Sequence, residues 1–424
     1  MYCGNCFRDN ALVASLRQAG HSVLMIPVYL PLTLDEEDQS AGVPIFFNGI
    51  NVYLEQEFKW FRHAPEWIHR LFASRRLLKW AAGKAAKTKA SELGEMTISM
   101  MLGEQGNQAR ELDQLIEFLK TQPKPDIICL SNALLIGMAR KFKSELNTKV
   151  ACVLQGEDAF LDGLPETHRA LAWRTLSERA REVDLFIPPS QYFASVMGKR
   201  LSIPEEKIRV IYNGINLTGY EEVNSAATVP HPAHAPTLGF FARMCREKGL
   251  DTLVEAFILL KQRNRIPNLK LKIGGSCGPS DQPLVDELKT RLARAGFLKD
   301  TEFHPNVSRE EKQAFFRSLT VFSVPAAYSE AFGLYLVEAF ASGIPVVQPR
   351  HAAFTELVEL SGGGVLCEPA DPASLAREIE NLLLDPAQLA ARSQAALKSV
   401  RERFNSQQMA RETMRVFEET VSNS

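Results

Sequence analysis

The chain has 424 residues, enough for two domains of about 200 residues each. It is 45% hydrophobic and 23% charged with a formal net charge of -1, a globular balance with no electrostatic footprint for nucleic acid. No apolar run approaches the ~18 residues of a membrane span, and seven scattered cysteines argue against a disulfide framework and for a reducing, cytoplasmic interior.

The opening residues "MYCGNCFRDN" place Cys3 and Cys6 at the spacing of a thiol redox pair or of half a zinc site. The redox reading predicts a thiol of low pKa. The zinc reading needs two further ligands, and neither a second C-x-x-C nor a histidine pair supplies them, so no metal is expected. The first residues are polar rather than a basic stretch followed by an apolar one, so no signal peptide is expected. Leu12, Val13 and Leu16 form a helix stripe, Gly20 ends that helix, and "SVLMIPV" is predicted as the next strand. Residues 58–90 are a basic, aromatic-rich insertion carrying Trp60, Trp67 and Trp80. They read as helices capping the N-terminal sheet, or as a surface for peripheral membrane contact.

From residue 125 the chain alternates short apolar runs with helical patterns. "DIICLS" (126–131), "VACVLQ" (150–155) and "DLFIPPS" (184–190) read as buried parallel strands. Residues 217–236 are rich in Pro, Ala and small polar residues and read as a linker. The alternation then resumes. "TLGFFA" (237–242), "LKLKIGG" (269–275), "VFSVP" (321–325) and "IPVVQP" (344–349) are predicted strands. "GLDTLVEAFILL" (249–260) is a helix with Leu250, Leu253, Val254, Phe257 and Leu260 on one face. Met409, Thr413, Val416, Phe417 and Val421 mark an amphipathic closing helix over 405–424. The expectation is an α/β protein with two Rossmann-like, doubly wound domains, 1–216 and 237–404, facing a central cleft. Ligands of such sheets sit beyond the carboxyl ends of the strands.

The chemistry concentrates in "SEAFGLYLVEAFASGIPVV" (329–347). Phe332, Gly333 and Leu334 fall where a helix begins, and free backbone N–H groups there favour a phosphate. Glu330 precedes that point and Glu338 follows it, separated by about 12 Å of rise if the segment is helical, with both carboxylates roughly on one side. Each carboxylate can accept two hydrogen bonds from a vicinal diol. Two carboxylates bracketing a phosphate site suit a nucleotide sugar, which carries a diol at each end of a diphosphate. In "ARMCREKG" (242–249), Arg243 and Lys248 supply two cations that can stabilise a departing diphosphate without a metal. No Asp-x-Asp pair occurs to hold a metal-bound diphosphate.

These residues, with "YNGIN" (212–216) and "EAFASGIPVV" (338–347), resemble the GT-B-fold retaining glycosyltransferases of glycosyltransferase family 4, over nearly the whole chain. The resemblance implies sugar transfer from a nucleotide-sugar donor, a UDP- or GDP-sugar, with retention at the anomeric carbon. The acceptor is an unidentified sugar or lipid-linked molecule. No cofactor is implied, since the nucleotide sugar is a substrate. Arg243 and Lys248 would hold the diphosphate, Glu338 the ribose hydroxyls, and Glu330 the transferred sugar. The family also places a short Gly-rich loop between the first strand and first helix of the N-terminal domain. Gly4 and Asn5 occupy that position as donor-binding loop residues, where glycine lets backbone approach a ligand. The strand that should precede this loop is missing, so the natural protein is expected to begin upstream of Met1.

Gln155 stands where the family often has a His near the acceptor. A Gln cannot act as a base, which leaves Glu157 and Asp158 as acceptor-side candidates; capping of the following helix is the competing role for both. His351-Ala352-Ala353 stands where the family tends to have glycines, and Pro305 where a Gly is common. Three alternatives keep their tests. A phosphorylase or nucleotide-sugar hydrolase of the same fold would be told apart by phosphate-dependent activity without nucleotide. A non-catalytic binding protein would bind donor without turning it over. A thiol redox protein would titrate at Cys3 or Cys6.

Overall fold

The computed structural model describes residues 4–29, 36–47, 90–220 and 235–422. The aromatic insertion, Cys3 and most of the expected linker lie outside these residues. The chain forms two compact units, one of Asn5–Ile211 with Ala410–Ser424, the other of Met1–Gly4 with Tyr212–Met409.

The first unit contains α1 (Gly4–Gln18), α2 (Ala90–Leu102), α3 (Ala109–Lys120), β1 (Ile127–Leu130), α4 (Ala139–Leu146), β2 (Lys149–Val153), α5 (Glu157–Asp162), α6 (Glu166–Ala180), β3 (Leu185–Ile187) and α7 (Gln191–Leu201). Its strands form a three-stranded parallel sheet in the order β1-β2-β3, with Ile128 opposite Val150 and Cys152 opposite Phe186. Val150, Ala151, Cys152 and Val153 are all buried, as a continuous apolar run covered on both faces must be. Ser190 caps α7 by accepting the Phe193 N–H at 3.1 Å, which satisfies one of the orphan donors of that helix end.

Two expectations are corrected in this unit. Gly4 and Asn5 do not form a loop; they open α1. Glycine and asparagine are both favoured at helix starts, and burial of Ala11, Leu12 and Leu16 anchors the helix that extends back to them. "SVLMIPV" does not form a strand either. It makes one parallel bridge, Val28 to Phe46. Pro27 lacks the N–H that a ladder requires, and among the described residues only the segment around Phe46 runs beside it.

The second unit contains β4 (Thr237–Phe241), α8 (Leu250–Arg263), β5 (Lys270–Gly275), α9 (Gln282–Ala295), β6 (Thr301–Pro305), α10 (Arg309–Arg317), β7 (Val321–Phe322), α11 (Leu334–Ala341), β8 (Val346–Pro349), α12 (Ala352–Ser361), β9 (Gly364–Cys367), α13 (Pro372–Leu384) and α14 (Pro386–Glu402). A last helix, α15 (Ser406–Ser422), continues from this unit into the first. The six-stranded parallel sheet runs β6-β5-β4-β7-β8-β9. Strand order therefore reverses between β4 and β7. That switch point is where such sheets bind ligands. The predicted stripe of α8 is fully buried at Leu250, Leu253, Val254 and Phe257. β6 was not legible as a strand because its residues are only partly buried and include Glu302 and His304.

The "YNGIN" segment is a structural joint of this unit. Ile215 bridges Asn405, and a Cβ on Gly214 would lie 2.1 Å from the Asn405 carbonyl oxygen, so only glycine fits. Tyr212 donates to Glu356 at 2.8 Å.

Candidate active site

The site is assembled from the loops that follow β4 and β7. After β4 the chain carries Arg243, then a 3-10 turn over Arg246–Lys248, then Gly249 at φ 71°, the residue before α8. A Cβ at Gly249 would sit 1.9 Å from the Pro325 carbonyl oxygen, so glycine lets the β4 loop pack directly on the β7 loop. The Ala327 N–H donating to the Glu247 carbonyl at 2.9 Å fastens the same two loops. Lys248 and Glu330 are thereby brought together from distant parts of the chain.

Lys248 Nζ lies 2.6 Å from Glu330 Oε2, with side chains 18% and 15% exposed. The same oxygen accepts the Tyr328 hydroxyl at 2.8 Å and the Tyr335 hydroxyl at 2.9 Å. Lys248 also contacts the Tyr328 hydroxyl and lies over the Tyr328 and Tyr335 rings at 4.8 and 5.2 Å from their centroids, a favourable cation–π placement. Burial first, then the Glu330 charge, pushes the Tyr335 phenol well above its usual range. It is a permanent donor at neutral pH.

Glu338 sits on α11, and Lys312 Nζ of α10 reaches its Oε1 at 2.8 Å. The expectation that Glu330 and Glu338 share one helix side is corrected here. α11 begins at Leu334, after Gly333, so Glu330 belongs to the preceding loop. The two carboxylates engage different lysines. Gly333 and Leu334 do fall at the helix start, where first-turn N–H groups have no acceptor within the helix. The Phe332 side chain is buried against Phe404, ring centroids 6.2 Å apart; only its backbone remains available to a ligand.

Arg243 is not idle. Its Nε and Nη2 donate to Asp281 Oδ1 at 3.0 and 2.8 Å, and Nε also reaches Oδ2 at 3.1 Å. Burial pushes the Asp281 carboxyl up, but the Arg243 hydrogen bonds outweigh it and hold it below its usual range. After β8, His351 Nε2 meets Ser329 Oγ at 3.1 Å, and the Ala353 N–H donates to the Glu330 carbonyl at 3.3 Å. Ala352 takes φ 52°, a left-handed conformation at one of the positions where glycines were expected.

In the first unit, Gln155 follows β2. Its Nε2 donates to the Ser131 carbonyl at 2.7 Å, and its side chain also bonds Asp9. Glu157 is buried. Its two oxygens accept the Ala133 and Gln155 N–H groups, each at 2.8 Å. That clamps the ends of β1 and β2 together and leaves it poorly placed as a base. Burial pushes the carboxyls of Glu157 and Asp158 upward. Asp158 lies next to it in the first turn of α5, after Gly156; its Oδ1 is buried with no hydrogen-bond partner among the described residues. The sequence reading missed Asp9, a carboxyl raised by burial against the pull of Arg8, whose Nη1 lies 2.8 Å away. It also missed Tyr328, Tyr335, Asp281 and Lys312. The run Asp281-Gln282-Pro283 is a recognisable helix start, and the tyrosines flank the Glu330 motif. Nothing in the sequence signals Lys312.

Among the described residues no group of His, Cys, Asp and Glu could hold a metal ion, and no helix is long and apolar enough to cross a membrane. Among the described residues Cys129, Cys152, Cys245, Cys277 and Cys367 are free thiols.

Both halves of the chain match glycosyltransferase families. Residues 225–399 match the family described as Glycosyl transferases group 1, and residues 100–218 match Glycosyltransferase Family 4. An uncharacterised glycosyltransferase of Methanocaldococcus jannaschii is 28% identical over 221 residues, 50% of this chain and 54% of that protein. A D-inositol 3-phosphate glycosyltransferase of Corynebacterium efficiens is 32% identical over 187 residues, 42% of this chain and 43% of that protein. The chain thus spans about half the length of the curated relatives it matches. Among solved structures, Anabaena HepE in complex with UDP superposes with TM-score 0.61 at 19% identity, covering 75% of this chain and 84% of that one. Sucrose-phosphate synthase of Thermosynechococcus elongatus gives 0.62 at 21%, covering 75% and 80%. At these identities the likeness is one of fold.

Proposed function

The chain belongs to the GT-B-fold glycosyltransferases of family 4, and from that premise we propose that it transfers a sugar from a nucleotide-sugar donor to an acceptor hydroxyl. The observation that carries this reading is the Lys248–Glu330 pair, 2.6 Å apart at the switch point of the second sheet. A cation for a diphosphate and a carboxylate for sugar hydroxyls stand side by side beyond the strand ends. The UDP held by HepE favours a uridine diphosphate sugar as donor; the acceptor is a sugar or a lipid-linked sugar.

In this reading Lys248 and Arg243 bind the diphosphate and neutralise charge as the leaving group departs. Arg243 must exchange Asp281 for phosphate to do so. Glu330 accepts hydroxyls of the transferred sugar and Glu338 those of the ribose. The bond between the anomeric carbon and the phosphate oxygen breaks while the acceptor oxygen bonds to the same face of that carbon. The acceptor proton passes to the departing phosphate oxygen, and configuration is retained. Two cations flanking the diphosphate make this transfer metal-independent.

The test is thermal stabilisation by UDP-, GDP- and ADP-sugars and the free diphosphates, since a ligand of the folded state raises its melting temperature. Proton NMR of the product then reads the anomeric configuration. A folded protein that none of the panel stabilises would overturn the reading.

A further inference from the structure

The Glu330 carboxylate is occupied asymmetrically. Lys248, Tyr328 and Tyr335 all donate to Oε2. Among the described residues none donates to Oε1. A carboxylate this far from solvent, 15% exposed, is costly to leave unpaired. Yet a lysine that turns toward a diphosphate gives up part of its bond to Glu330. The two phenols resolve that conflict, because they stay on Oε2 wherever the ammonium goes.

We propose that Tyr328 and Tyr335 are positioning residues that pin Glu330 through Oε2, so that Oε1 alone faces the donor sugar and Lys248 is released for the diphosphate. This rests on the donor-site reading above and deepens it. The Tyr335 phenol is fixed independently of the ligand. The Tyr335 ring lies 6.3 Å from Phe322 and 6.4 Å from Phe354, both fully buried, and it sits in the first turn of α11. Tyr328 is held to Lys248 as well as to Glu330. A carboxylate offering one oxygen in a fixed direction selects sugars by the position of one hydroxyl. One offering two oxygens and a free rotor does not.

The test is calorimetric titration of the full chain with UDP, UDP-glucose, UDP-galactose, UDP-N-acetylglucosamine, GDP and GDP-mannose. The quantity read is the ratio of the Kd for the bare nucleotide to the Kd for its sugar. Tyr335→Phe keeps the ring and removes the donor. It is expected to cut that ratio about tenfold for the preferred sugar, and to narrow its discrimination against the epimer, while the Kd for the bare nucleotide moves by less than about twofold. In a Glu330→Gln background the same substitution is expected to add almost nothing, because the two act as a unit. Tyr328→Phe supplies the same readout if Tyr335→Phe does not fold. Equal loss for nucleotide and nucleotide sugar, or additive losses in the double variant, would overturn the positioning role alone. A wild-type chain that binds no nucleotide would overturn the donor-site reading and this inference with it.

Discussion

Replacing Lys248 by methionine tests both the packing of the site and its chemistry. The substitution keeps the side-chain stem and removes the ammonium from Glu330 Oε2, 2.6 Å away. Breaking a buried ion pair by deleting one partner costs about 3–5 kcal/mol when it strands a charge. Here the Tyr328 and Tyr335 hydroxyls remain on the same oxygen, and each hydrogen bond to a charged group contributes about 1.5–3 kcal/mol. The expected cost is therefore only about 1–2 kcal/mol. For a domain of this size that lowers the melting temperature by roughly 3–6 °C. Binding of UDP loses a charge-assisted contact and weakens about 10–100-fold. Scanning fluorimetry and calorimetric titration with UDP read the two effects separately. A melting temperature lowered by well over about 10 °C would show that the phenols do not support Glu330. Unchanged UDP affinity would remove Lys248 from the phosphate site.

Three further outcomes are expected. Ala352 adopts φ 52°, where a Cβ costs about 1–2 kcal/mol; Ala352→Gly should raise the urea midpoint by a net stabilisation of about 0.5–1 kcal/mol after the added freedom of the unfolded chain, and a lowered midpoint would refute the strain. Gly249→Ala, with its Cβ 1.9 Å from the Pro325 carbonyl oxygen, should cost about 2 kcal/mol or more in urea unfolding and should weaken UDP binding as the β4 and β7 loops separate; wild-type values for both would refute the close approach. The Asp281 carboxyl is depressed in the folded state by Arg243 against the opposing pull of burial. Its stability contribution is thus complete above the unfolded carboxyl value of about 3.9 and disappears as pH falls through the lower folded value. Asp281→Asn should flatten the loss of melting temperature below about pH 4, and an acid limb as steep as that of the wild type would refute the pairing.

How much of the site was legible follows from what each residue type says alone. Glu330 and Glu338 announce themselves because carboxylates bracketing a helix start have few bland explanations once two cations follow an earlier strand. Their geometry was not legible, because an eight-residue spacing does not say where a helix begins, and α11 begins only at Leu334. Gln155 was found just beyond β2, but Asp9 was not. A single Asp in "FRDNAL" carries no mark of the partner it meets across the unit. Gly4 and Asn5 misled for the opposite reason: residues that favour loops also favour helix starts.

The sequence by itself determined the alternation of buried runs and amphipathic helices, since side-chain periodicity and burial are local properties of the chain. It determined too that "VACVLQ", "TLGFFA" and "LKLKIGG" would be strands, and that α8 would bury its leucine face. Only the tertiary structure decided which strands would be neighbours. The reversal of order between β4 and β7 sets Lys248 against Glu330 and two tyrosines, a contact between segments far apart in sequence. Only there did the Arg243–Asp281 and Lys312–Glu338 pairs appear, and the Glu330 oxygen that takes no donor among the described residues. Such contacts depend on how separate elements pack, and no local pattern encodes the partner that a side chain will meet.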